Sequence, residues 1–175
     1  MELPDATKNF IVHWGEMGTK WGINRTVAQI HALLFISPEP LTAEEISDTL
    51  SVARSTVSTG LRELQSWGIV KVVHVWDDRK DHFETMDDVW EMFRVVLDER
   101  KRREMDPTLN MLQELLDQLE ADEDVDEHTQ QKLNEMLDFF DTMMTLYGQL
   151  QNLSTSTLKR TAKMGNIIST LIGST

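Results

Sequence analysis

A mainly α fold carrying one small two-stranded β ribbon is predicted by three observations in the amino-acid sequence. A capping box, Thr42-Ala43-Glu44-Glu45, opens a short amphipathic segment. After a brief turn, a second segment places Val57, Leu61 and Leu64 on one helical face and stops at Gly68. The β-branched run Ile69 to Trp76 and a returning strand from His82 to Thr85 then flank the charged turn Asp77-Asp78-Arg79-Lys80-Asp81. Helix, turn, helix and ribbon in this order form a winged helix-turn-helix pattern. The flanking helices are expected to serve as a dimerisation arm.

At the N-terminus, a helix from Ala6 to Trp21 sets Phe10, Trp14, Met17 and Trp21 in one apolar stripe. Gly15, Gly18 and Gly22 lie beside it, and Gly22 is its expected stop. Asn24 caps a second helix whose Val27, Ile30, Leu33 and Leu34 face a core, and Ser37-Pro38-Glu39-Pro40 ends it. The third helix starts at Thr42 and packs through Ile46 and Leu50; Ser51-Val52-Ala53 is the turn, and the fourth helix runs from Arg54 to Trp67. Residues 1–23 are thus expected to be a dimer-contacting helix, 24–86 a reading domain and 87–175 a helical dimerisation region.

Beyond the ribbon, Asp87 or Asp88 opens a long helix through Trp90, Phe93 and Leu97 to a run of alternating charge, Asp98 to Glu104. Asp106-Pro107 predicts an N-cap with a first-turn proline, hence a break or kink. Leu109, Leu112, Leu116 and Leu119 follow at helical spacing, then an acidic linker from Glu120 to Glu127. Met136, Phe140, Met143, Tyr147 and Leu150 repeat the spacing of a bundle seam. The terminal Leu158, Met164, Ile167, Ile168, Leu171 and Ile172 need a partner surface. A homodimer accounts for so much helix, and two-fold symmetry would set two recognition helices about 34 Å apart. The alternative is a monomeric bundle folded back on the ribbon domain.

Composition bounds the function. With 175 residues and 40% hydrophobic content the chain can bury a real core. It has no Cys, so disulfides and thiolate metal sites are excluded. His13, His31, His74, His82 and His128 show no metal-ligand spacing, and no phosphate-cradling loop or nucleophile elbow occurs. No enzyme, cofactor or metal is expected. The absence of a signal sequence, and of any apolar run near the ~20 residues of a membrane span, leads us to expect a cytoplasmic protein without a membrane partner.

The net charge of −13 opposes non-specific DNA binding. Between Arg54 and His82, however, Arg54, Arg62, Lys71, Arg79 and Lys80 stand against Glu63, Asp77, Asp78 and Asp81, so a weakly basic ridge rises from an acidic body. Arg54, Ser55, Thr56, Ser58, Thr59 and Arg62 are left for solvent on the fourth helix. Arginine can bind guanine O6 and N7 through two hydrogen bonds, and hydroxyls hold phosphates or bases. Arg79 and Lys80 at the wing tip can enter the minor groove or bind phosphate. Each residue alone reads as ordinary surface; together they predict a site for double-stranded operator DNA. The competing class is a winged protein–protein adaptor.

The motifs Gly22-Ile-Asn-Arg-Thr26, Leu41-Thr-Ala-Glu-Glu-Ile46, Ser55-Thr-Val-Ser58, Leu64-Gln-Ser-Trp-Gly-Ile-Val70 and Asp78-Arg-Lys-Asp-His-Phe-Glu84 resemble the GbsR branch of MarR-type bacterial transcriptional regulators. Asp88-Val-Trp-Glu-Met-Phe-Arg94 fits the same branch. The resemblance implies a dimeric regulator that binds operator DNA through Arg54, Ser55, Thr56, Ser58, Arg62 and the wing-tip Arg79. Two departures stand out: Ala53 where relatives often carry a capping Ser, and Asp77 where the wing often has Gly. The branch's link to compatible solutes implies a homodimeric repressor of osmotic-stress genes with a quaternary ammonium effector. Trp14, Trp21, Trp67, Trp76 and Trp90 are the candidate aromatic cage; core and interface packing is the other role for them.

Overall fold

The structure is a computed structural model that describes residues 3–120 and 127–161. It divides into two compact units, Met1–Val96 and Leu97–Thr175. Residues 121–126 of the expected acidic linker, and Met164, Ile167, Ile168, Leu171 and Ile172, lie outside the described residues.

In the first unit, α1 (Asp5–Lys20) is followed by α2 (Arg25–Ile36), β1 (Leu41–Thr42), α3 (Ala43–Leu50), α4 (Arg54–Ser66), β2 (Val70–Val73) and β3 (His82–Thr85). Most of these element boundaries are set by local contacts. Asn24 accepts hydrogen bonds from the amides of Thr26 and Val27, so α2 begins where a short carbonyl side chain can cap it. The capping box at α3 is complete: the Glu45 amide donates to Thr42 Oγ1 at 3.2 Å, and the Thr42 amide donates to Glu45 Oε2 at 2.8 Å. Gly22 and Gly68 end α1 and α4 at φ of 75° and 76°, a conformation that side chains resist. The core is built from α2, α3, α4 and the sheet, with Ile30, Leu33, Ile46, Val57, Leu61 and Leu64 essentially buried.

The ribbon has three strands, not two. β1 pairs antiparallel with β3, Leu41 opposite Phe83 and Thr42 opposite His82, giving the order β1-β3-β2. The physical reason lies in the cap. An N-cap residue holds β-region angles, and Thr42 at φ −76° and ψ 157° is therefore extended and free to pair. Leu41, carried along, buries its side chain.

The buried seam of α1 also differs from the expected stripe. Ile11, Gly15 and Gly18 are buried, whereas Phe10, Trp14 and Met17 are only partly covered and Trp21 is 44% exposed. The glycines let α1 approach α2 closely. A Cβ on Gly18 would lie 2.5 Å from Ala28 Cβ, and one on Gly15 would lie 2.7 Å from Gln29 Cγ.

α5 (Val89–Arg100) starts at Asp88, whose carboxylate accepts from the amides of Trp90 and Glu91. Its first residues, through Val96, belong to the first unit. In the second unit a π-helical turn, Lys101–Met105, joins α5 to α6 (Asp106–Glu120) without a break. The expected N-cap at Asp106 is not formed; Asp106 is itself helical, and its amide donates to Lys101 O, five residues back. A widened turn tolerates Pro107, which has no amide hydrogen to place.

α7 (Glu127–Asn152) packs against α6, and a further helical stretch occupies 155–161. The predicted seam is two seams. Phe140 and Tyr147 are half-buried with Leu133, Leu137 and Met144, and the Tyr147 hydroxyl donates to Asp98. Met136, Phe139, Met143, Leu146 and Leu150 are exposed. No helix among the described residues is long and apolar enough to cross a membrane.

Candidate nucleic-acid interface

The interface is built on α4. Val57, Leu61 and Leu64 turn inward, and Gly60 allows α4 to press on α2: a Cβ there would meet Ile30 Cδ1 at 2.7 Å. This inward anchoring at one-turn intervals fixes what remains outside. Arg54, Ser55, Thr56, Thr59 and Arg62 are exposed and Ser58 is half-buried. All six predicted residues therefore share one helix, yet they divide between two edges.

Arg54, Ser58 and Arg62 recur at i, i+4 and i+8 and form one row. Ser55, Thr56 and Thr59 instead line a polar cleft of about 300 Å³ with Asn24 and Thr26 of α2, and Glu63 forms part of its wall. Neither Arg54 nor Arg62 has an ion-pair partner among the described residues. Two guanidinium groups are thus available beside a hydroxyl-lined cleft.

Ala53 leaves α4 without a side-chain cap. Neither Ser51 nor Ser55 supplies that cap among the described residues; Ser51 instead takes the left-handed conformation that ends α3, φ 53°. First-turn amides without a side-chain acceptor can serve an anion such as phosphate. Ala53 thus costs a cap and leaves amide donors at the N-terminal end of α4.

The wing is held by its own acids. Asp77 adopts φ 67°, the left-handed region that favours glycine. Asp is among the residues that tolerate it. Asp78 Oδ1 accepts from the Lys80 amide at 2.9 Å, and Asp78 Oδ2 lies 3.6 Å from His82 Nε2. These contacts direct the tip and present Arg79, which is exposed and has no ion-pair partner among the described residues. Lys80 differs from Arg79. Its Nζ donates to Glu44 Oε2 at 2.9 Å. The hydrogen bond and charge of Lys80 hold the Glu44 carboxyl below the usual carboxylate range, and Glu44 in turn raises Lys80. On β2, Lys71 pairs with Glu84 of β3 at 2.8 Å.

The five tryptophans do not form one cage. Trp14, Trp21 and Trp67 line a common cavity, whereas Trp90 packs edge-on against Phe93 outside that lining. Trp76 stands 97% exposed on the wing. Sequence reasoning missed His31, which is buried beside Trp14 and Phe35 and lines the same cavity. Its position on the apolar face of α2, one residue after Ile30, was the available signal. No group of three metal-ligating side chains is assembled among the described residues.

Residues 21–81 match the family model described as MarR family. The chain is similar to the putative HTH-type transcriptional regulator YvaV of Bacillus subtilis (strain 168), 25% identical over 157 residues that cover 86% of each chain. It is also similar to the HTH-type transcriptional repressor GbsR of the same organism, 24% identical over 139 residues, 78% of this chain and 77% of that one. Among solved structures, the crystal structure of a transcriptional regulator superposes with a TM-score of 0.62 at 24% identity, covering 85% of this chain and 96% of the other. At that identity the likeness establishes the fold. Both relatives are named as HTH-type transcription regulators.

Proposed function

We propose that this chain, whose residues 21–81 match the MarR family model, is a homodimeric repressor that reads operator DNA with α4 and the wing. The observation that carries the reading is the outward face of α4, where Arg54 and Arg62 flank hydroxyls and no carboxylate occurs before Glu63. An adaptor has no use for such a face, whereas DNA bases and phosphates match it. Arg79 would enter the minor groove beside it. Net charge of −13 keeps one copy from holding DNA firmly, so the affinity comes from two copies on a pseudo-palindromic site.

The exposed seam of α7 supports the second copy. Met136, Phe139, Met143, Leu146 and Leu150 alternate in steps of three and four, the spacing with which one helix meets another in a coiled coil. The similarity to GbsR, named as a repressor, supports repression, and the branch resemblance supports osmotic-stress or compatible-solute genes in the cytoplasm as the target. The cluster of Trp14, Trp21 and Trp67 supports control by a small molecule with apolar surface.

Genome-wide footprinting of bound DNA, paired with sedimentation of the free protein, tests this reading. It predicts a two-fold-related motif upstream of solute-uptake or solute-synthesis genes and a dimer in solution. Sequence-independent recovery of DNA, or none, would leave the adaptor as the better account.

A further inference from the structure

The wing carries a side chain that the fold leaves almost wholly in water. Trp76 is 97% exposed, against 58% for Phe139, the next most exposed large hydrophobic among the described residues. Its backbone is fixed nonetheless. The Asp78 amide donates to Val75 O at 3.2 Å, and Asp77 at φ 67° takes the third position of that turn, as in type II. Trp76 is the corner residue before it, so a closed turn holds out an indole that adds nothing to the core. Tryptophan offers a large apolar surface when buried, and here the chain itself does not bury it.

The surroundings select what does. Arg79, three residues on, is exposed and has no ion-pair partner among the described residues. Asp78 is turned to the Lys80 amide, and the Lys80 ammonium to Glu44. The charges left at the tip, Asp77 and Arg79, cancel, so phosphate attraction alone does not seat it on DNA. Val75 and Trp76 are its exposed large hydrophobics, far short of the roughly 1,000 Å² that a protein interface needs. Such a tip fits one flat ring, and a base is one.

We propose that Trp76 is a specificity-determining residue of the DNA reading above, an apolar wedge that stacks into a pyrimidine–purine step of the minor groove beside Arg79. The proposal rests on that reading. Pyrimidine–purine steps unstack most readily, and an apolar side chain inserted between base pairs kinks the duplex. The indole would thereby select sequence at a step where it makes no hydrogen bond.

The test uses the full chain labelled with 5-fluorotryptophan and the DNA fragment upstream of its own gene, the Trp76 ¹⁹F resonance being assigned with Trp76→Phe. That resonance should show water exposure in the free protein and lose it on DNA. Trp76→Ala should bind at least about fivefold more weakly, as for one lost base–aromatic stack, and unfold in urea as the wild type does. Changing the flanking pyrimidine–purine steps to AA should weaken the wild type and leave Trp76→Ala unaffected. A resonance shielded before DNA is added, one unmoved at saturation, or a Trp76→Ala that binds like the wild type overturns the proposal. If the wild type binds no DNA, the DNA reading falls and this proposal with it. If the wild type binds, Arg62→Ala binds more weakly and Trp76 stays in water, this proposal alone falls.

Discussion

Lys80 in the wing and Glu44 in the first turn of α3 meet at 2.9 Å across 36 residues of sequence. Of the two wing-tip cations, only Arg79 is therefore uncommitted to a carboxylate among the described residues. Both partners are exposed, so the pair contributes little to stability. Under the proposed DNA reading its consequence is for binding: Glu44 would compete with phosphate for Lys80. We predict that Glu44→Gln tightens operator binding and steepens the dependence of log affinity on log salt by about one. Fluorescence anisotropy across a salt series reads both quantities.

Asp77 holds φ 67° and puts a carboxylate two residues before Arg79 at the wing. Asp77→Gly is expected to keep or raise stability and to tighten operator binding by removing a negative charge beside Arg79. Asp77→Val, with a β-branched side chain in the left-handed region, should lose about 1–2 kcal/mol. Urea unfolding midpoints distinguish the two variants.

Gly18 faces Ala28 so closely that an added Cβ would stand 2.5 Å from another Cβ. Ala28 Cβ cannot rotate away, so α1 must shift from α2. Gly18→Ala should destabilise the first unit by about 1–3 kcal/mol, as for overpacking, despite the better helix propensity of Ala. Chemical denaturation followed by circular dichroism measures the loss.

His31 gives the protein a pH-dependent stability of known sign. Burial lowers its pKa from 6.5 to about 4 in the fold. As pH falls below 6.5 the unfolded chain takes up the proton first, so stability declines down to about pH 4 and then levels off with respect to this group. At about 1.4 kcal/mol per pH unit the full effect is roughly 3 kcal/mol. His31→Phe should reduce the difference between unfolding free energies at pH 7 and pH 5; an unchanged difference would assign the pH dependence to other groups.

What the sequence made legible is what local chemistry decides. The Thr42–Glu45 box, the Asn24 and Asp88 caps, the Gly68 stop and the inward set Val57, Leu61 and Leu64 each involve residues within one or two turns. Hence α4 and its outward residues could be named before the fold was seen. What stayed hidden depends on contacts distant in sequence. β1 needs His82 and Phe83 as partners. The packed seam of α1 runs through glycines, which carry no hydrophobic signal, while its tryptophans drew attention to the neighbouring face. At α7, Met136, Met143 and Leu150 share a heptad with both seams, and only the position of α6 separates them. The π turn before Pro107 and the Lys80–Glu44 pair have no sequence pattern of their own.

The central claim is that α4 and the wing read DNA, and operator affinity of Arg62→Ala and Arg79→Ala measures it most directly. On the fragment upstream of the protein's own gene, Arg62→Ala should lose about 1–3 kcal/mol of binding, as for a base contact. Arg79→Ala should also bind more weakly, and both variants should unfold in urea as the wild type does. If both variants bound that fragment like the wild type, α4 and the wing would not be the DNA-reading surface.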